Sequence, residues 1–293
     1  MASILTGRDP VRHGAGGFAS PIANLDKEIP SPISPDVATL AERLSEEGFE
    51  TAAFVAHPWF ESRYGLERGF ESLTLETKRR RLAGMASAWL NWHTSSEDPR
   101  RFFLYLHFMD SHRHLRWTPQ ERHRRENFLL PKSAERALAN APGGVCDDRN
   151  AESCSQYLAY VRSIAEQLES LATVLKTLEE SGQADDTVVI LYSDHGEEFF
   201  EHGRFEHSFS YYEEMLKVPL IVRVPGEARG VVVDETVGLV DVLPSLLDWL
   251  EIPAPDGLQG RSLRPGAGGD EAPERAYLGE ASLRKGDLAL RGP

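Results

Sequence analysis

The stretch Thr187–Gly203, TVVILYSDHGEEFFEHG, sets the strongest constraint on what this chain can fold into. Val188-Val189-Ile190-Leu191-Tyr192 is a continuous apolar run rich in β-branched and aromatic residues, the pattern of a strand buried on both faces of a parallel sheet. Ser193-Asp194-His195-Gly196 ends the run. In open α/β sheets the carboxyl ends of the strands face the ligand crevice, so Asp194 and His195 are expected at its edge. Together they offer one hard oxygen and one imidazole nitrogen, half of a divalent metal site. His202 and His207 follow soon after, and such a cluster behind a buried strand fits a site better than a polar turn.

The rest of the composition narrows the partners. A chain of 293 residues can bury a sizeable core as one domain or two. Its net charge of −14 argues against a general grip on nucleic acid or anionic lipid, both of which need clustered Lys and Arg. The basic runs Lys78–Arg81 and Arg122–Arg125 are flanked by acidic segments and read as solvated faces. No apolar run reaches the length of a membrane span, and no signal-peptide pattern follows Met1. Compartment therefore stays open between cytoplasmic and periplasmic or secreted. Cys146 and Cys154 fit no zinc spacing; a local disulfide and two free thiols are both open readings.

In chain order, Thr6-Gly7 ends a first short helix, with Gly7 as the residue past its C-terminus. Arg8, Arg12 and His13 follow in a loop. A helix is expected from Ser34, with Ser34 as N-cap, Pro35 at the first helical position and Asp36 on the positive dipole end. Gly48 stops it, and Thr51–Val55 is the next strand. Residues 77–94 read as an amphipathic helix, and Arg101–Phe108 as a buried strand leading to Met109-Asp110-Ser111-His112. A polar excursion is expected from Ser111 to about Asn150. The longest helix runs from Ser155 to Ser181 and feeds the central strand. Pro219–Val224 is a further strand, and Val240–Leu250 a short helix. Helix followed by strand, repeated, implies an α/β fold with a mostly parallel central sheet sandwiched by helices.

Six stretches in order resemble the sulfatase family of the alkaline-phosphatase superfamily. They are Ala2–Arg8, Gly48–Val55, His107–His112, Ser193–Glu198 with Glu201–Gly203, Tyr212–Pro219, and Val240–Leu247 with Gly257–Leu263. The resemblance implies an alkaline-phosphatase/sulfatase-like fold whose first strand is missing from this chain. It also implies that the nucleophile signature, C/S-x-P-S-R or its threonine variant, lies upstream of Ala2. On that expectation residues 1–265 are one sulfatase-like domain, incomplete at its N-terminus, and 266–293 begin a truncated C-terminal segment. The fragment itself is then expected to be inactive.

By the same resemblance Asp194 and His195 match metal ligands. The metal is Ca²⁺ in that family, but a histidine ligand leaves Mg²⁺, Mn²⁺ and Zn²⁺ open. His112 matches a residue that contacts the sulfate ester and assists the leaving group. His207 stands where many sulfatases carry an anion-binding lysine, and a protonated imidazole can do that task with its own pH dependence. His57, His107, Asp110 and Arg8 are the remaining substrate-side candidates; His202 reads as a loop cap. Val55-Ala56-His57-Pro58 lacks the lysine many sulfatases have after this strand. That absence weakens sulfate against phosphate, while the resemblance as a whole implies a small-molecule or glycan sulfate ester as substrate. The alternatives are a phosphate ester, cleaved by a phosphodiesterase or phosphatase with Thr or Ser as nucleophile, and a fragment with only a binding role. Oligomeric state is not legible.

Overall fold

The computed structural model describes residues 1–15, 31–112, 151–203, 205–207, 210–228 and 230–264. The organising strand is β1 (Glu50–Val55), which pairs in parallel with β2 (Ser72–Leu75) on one edge and β3 (Phe102–His107) on the other. Its alternation of side chains builds two cores at once. Ala53 and Val55 face a core containing Leu40, Leu44, Phe60, Leu243 and Leu247. Ala52 and Phe54 face a second core with Leu82, Ala83, Ala86 and Val174. The first core is covered by α1 (Ala2–Thr6), α3 (Leu40–Glu46) and α7 (Val242–Trp249), the second by α4 (Arg79–Thr94) and α5 (Ala151–Glu180). The result is the α/β layering expected from the sequence.

Gly7 stands past the end of α1 with φ 63°, and its N–H caps Ser3 O. The helix expected from Ser34 starts later. Residues 35–37 form a turn, and the N-cap is Thr39, whose hydroxyl accepts from Glu42 N–H while the Glu42 carboxylate accepts from Thr39 N–H. Thr39-x-x-Glu42 is a reciprocal capping box, and it satisfies more orphan donors than Ser34 with Pro35 could. Between α1 and α3 lies the short α2 (Pro10–His13).

The second half departs from an all-parallel sheet. Among the described residues β4 (Val189–Tyr192) pairs only with β7 (Leu220–Arg223), and the pairing is antiparallel, with Ile190 opposite Val222. Among the described residues neither strand is hydrogen-bonded to the β2-β1-β3 sheet. β4 is half-buried rather than enclosed on both faces, because its second edge borders an open cavity of about 2730 Å³ that reaches across to β3. One direct polar bridge spans that gap, the Tyr192 hydroxyl to the Tyr105 hydroxyl at 3.3 Å. After β4 come a hairpin of β5 (Glu198–Phe199) and β6 (Phe205–Glu206), then α6 (Glu213–Leu216).

The segment after α7 is fastened by a buried carboxylate. Asp241 accepts from Arg261 N–H at 2.7 Å and from Gly238 N–H at 3.0 Å. Gln259 ties the same segment to the chain start, through its N–H to Gly7 O and its side chain to Asp9 N–H. Cys154 is disulfide-bonded, which removes the free-thiol reading for that residue. Cys146, most of the excursion from 111 to 150 and residues 265–293 lie outside the described residues.

Candidate active site

β3 and β4 end on the same side of the cavity, and the side chains just past their ends meet there. The turn after β4 is fixed by its own backbone. Ser193 Oγ donates to His195 O at 2.7 Å, and Gly196 N–H donates to Met215 O at 2.9 Å. A Cβ on Gly196 would collide with the Glu214 carbonyl, so only glycine lets this turn lie against the start of α6. The cavity is lined by His57, His107, His112, Asp194, His195 and His207. Six of the eight expected site residues thus share one cavity.

Three of those rings converge closely. His195 and His207 stack with centroids 4.3 Å apart, and His112 stands edge-on to His207 at 4.6 Å and to His195 at 6.1 Å. His195 and His207 are each held by a specific partner. His195 Nδ1–H donates to Gly196 O at 2.8 Å, which leaves Nε2 as the open nitrogen. His207 Nδ1 faces both oxygens of Glu197, at 3.2 and 3.4 Å. Asp194 Oδ1 lies 3.9 Å from His195 Nε2, a spacing that one divalent ion can bridge while binding both. A carboxylate beside an imidazole whose other nitrogen is already tied to a carbonyl is a fitting donor pair for such an ion.

Electrostatics separate the rings. Burial, helped by the nearby His207 and His195, pushes His112 below the ordinary histidine value. The Glu197 hydrogen bond raises His207 above it, against the cost of burial. His107 is lowered to about 4, first by burial and then by His57 and its other cationic neighbours, with Asp194 opposing. Burial works to raise Asp194, but neighbouring positive charge, with His195 and His107 contributing, outweighs it and holds the carboxyl below its usual value. His207 is therefore biased toward the cation, Asp194 toward the anion, and His107 and His112 toward the neutral ring.

Arg8 and Asp110 stand outside the cavity lining. Arg8 donates to Asp256 O at 2.9 Å, on the segment that packs against α1. Asp110 is bound by Arg79 at 2.9 Å, and Arg79 also holds Glu166 of α5 at 2.7 Å. That ion network pins the turn carrying Ser111 and His112 to two helices. His202 stacks on Tyr212 and lies 3.4 Å from Glu214, consistent with a loop cap. His13 is fully buried, accepting from Ala15 N–H and contacting Ser3 Oγ. His57 accepts from Trp59 N–H through Nδ1, so its Nε2 is the proton-bearing nitrogen toward the cavity side. Glu197 is the residue that sequence reasoning passed over. Its signal was a carboxylate beside Asp194-His195-Gly196, but only the β5–β6 hairpin brings it under His207.

Comparisons with known proteins fit this arrangement. The family model described as Sulfatase matches residues 1–252. Arylsulfatase K of Bos taurus is 39% identical over 106 residues, covering 36% of this chain and 19% of that protein. The chain thus spans about a fifth of the length of that curated relative. A protein solved in complex with its substrate D-glucosamine-2-N,6-O-disulfate superposes with a TM-score of 0.65 at 16% identity, over 99% of this chain and 75% of the other. The phosphonate monoester hydrolase of Agrobacterium radiobacter does so with a TM-score of 0.66 at 19% identity, over 92% and 67%. At these identities the structural likeness speaks for the fold.

Proposed function

The chain belongs to the sulfatase family, and on that premise we propose that it carries the metal and leaving-group side of a sulfate-ester hydrolase. The observation that supports this most is the convergence of Asp194–His195 with His112 and His207 at the joint end of β3 and β4. Asp194 and His195 would hold a divalent ion, which when bound neutralises the ester oxygens and polarises the ester. The donor pair mixes oxygen and nitrogen, which suits Mn²⁺ or Zn²⁺ as well as it suits Ca²⁺ or Mg²⁺.

The two other rings divide the remaining work. His207, biased toward its cationic form by the Glu197 hydrogen bond, attracts the ester's anionic oxygens. Burial biases His112 toward its neutral form. An arriving ester puts negative charge beside it and reverses that bias, so the ring can gain a proton and pass it to the departing alkoxide. Two like groups with their pKa values pushed apart is the arrangement acid–base chemistry needs.

A phosphonate- or phosphate-ester substrate is the second reading. It is favoured by Val55-Ala56-His57-Pro58, which carries no lysine where many sulfatases hold sulfate with one. Binding distinguishes the two. Isothermal titration of the chain with 4-nitrophenyl sulfate and with phenyl phosphonate, each with and without Mn²⁺ or Ca²⁺, should show metal-dependent binding of the sulfate ester. Asp194→Ala and His112→Ala should each abolish it. Binding that ignores the metal and both substitutions would overturn the reading, and preference for the phosphonate would replace it with the second.

A further inference from the structure

We propose that His112, His195 and His207 together form a transition-metal site for a borderline divalent ion such as Zn²⁺ or Co²⁺, placed where the ester would sit. Their ligand nitrogens all lie within 4.8 Å of one another, on three half-buried side chains. Zinc–imidazole bonds of about 2.0–2.1 Å require the nitrogens to draw closer when the ion binds. The donors come from three places in the fold: the turn after β3, the turn after β4, and the end of the β5–β6 hairpin.

Two rings are already oriented for this task. His195 Nδ1–H is committed to Gly196 O, and His207 Nδ1 to the buried Glu197 carboxylate. A carbonyl or carboxylate on one nitrogen fixes the tautomer and makes the opposite nitrogen a better donor, the usual outer arrangement around a metal-bound histidine. Glu197 is buried at 7% exposure, so its charge acts on the ring with little screening by water. The donor set is three nitrogens with no oxygen among them. Hard Ca²⁺ and Mg²⁺, which require oxygen ligands, are selected against, while imidazole suits Zn²⁺, Co²⁺ and Ni²⁺. Three imidazoles also leave a fourth tetrahedral position open.

His195 Nε2 is shared with the Asp194 pair, and His112 and His207 are the rings assigned to the ester. An ion on the three rings therefore excludes the ester and takes His195 from the other metal. That inhibitory consequence rests on the proposed function; the binding of the ion does not.

The test is titration of the 293-residue chain with Co²⁺ alone, read by visible absorption, followed by displacement with Zn²⁺. Tetrahedral cobalt bands should form and persist in excess Ca²⁺. They should weaken at least about 100-fold in affinity in His112→Gln and in His207→Gln, and about tenfold in Glu197→Gln. They should survive in Asp194→Asn. Circular dichroism of each variant guards against loss of fold, and His112→Gln and His207→Gln serve as checks on one another. Absence of bands and of Zn²⁺ binding would overturn the proposal. So would bands lost in Asp194→Asn yet kept in both histidine variants, a result that would leave the hydrolase reading untouched.

Discussion

Glu197 and His207 face each other across 3.2 Å, with the carboxylate buried and the ring at the edge of the cavity. The pairing raises the His207 pKa, chiefly through the hydrogen bond to Glu197. Replacing Glu197 by Gln keeps the shape and removes the charge, so the ring should titrate lower. Histidine ring resonances followed by NMR across pH 5–9 read this directly. An unchanged His207 midpoint in Glu197→Gln would show that Glu197 does not govern the ring. Because the cation is the form that attracts an ester anion, the variant should also lose sulfate-ester binding at a lower pH than the parent.

His107 predicts a pH-dependent stability of the opposite sign. Its folded pKa is about 4, against about 6.5 when unfolded. The folded chain keeps the ring neutral while the unfolded chain protonates it. This contribution is full above pH 6.5 and is lost as pH falls through the window toward 4. A shift of that size corresponds to about 3 kcal/mol at most. His112 acts in the same direction, whereas the raised His207 favours the folded state below 6.5 and loses that effect as pH rises through its folded value. Urea midpoints of parent and His107→Gln between pH 7.5 and 5 isolate the His107 share: the variant's fall should be shallower. Parallel curves would refute it.

Gly196 should not tolerate alanine. The added methyl would run into the Glu214 carbonyl, and backbone on both sides has little freedom to move. Gly196 N–H also donates to Met215 O, so any shift that relieves the clash strains that bond. A loss on the order of 1–3 kcal/mol is expected, with weaker metal binding as the turn carrying Asp194 and His195 moves. Denaturation midpoints and metal titration check both, and a variant indistinguishable from the parent would be the contrary result.

The Arg79–Asp110–Glu166 network makes a prediction about positioning. Arg79 neutralises two carboxylates whose side chains are only 20% and 16% exposed, with Arg162 adding to Glu166. Arg79→Met leaves both acids without their main partner and should cost about 1–3 kcal/mol. Asp110→Asn should cost less, because Arg79 still has Glu166. If the turn is what the network holds, the loss in Arg79→Met should be accompanied by a shifted His112 ring resonance. A stability loss with His112 unmoved would reduce the network to a structural tie.

The sequence carried a good part of this. The apolar run ending in Asp194-His195-Gly196 located β4 and its polar end, because a buried strand and a sharp polar break are local patterns. Gly7, Thr51–Val55 and the long helix were legible for the same reason. The start of α3 was misplaced because two capping signals lie five residues apart at Ser34 and Thr39, and the reciprocal Thr39–Glu42 bonds decide between them. Arg8 and Asp110 were substrate-side candidates by resemblance, and their partners Asp256 and Arg79 come from distant segments that the local sequence does not reveal.

What the chain determined by itself was therefore the α/β class, the strand ends that bear chemistry, and the identities of six groups at the cavity. Those depend on periodicity and on residue type, both written locally. Tertiary structure alone decided the antiparallel β4–β7 pairing and the meeting of His112, His195 and His207 beside Glu197. Which edges pair and which rings meet is set by packing between segments far apart in sequence, and the electrostatic assignment of each ring follows only once its neighbours are fixed.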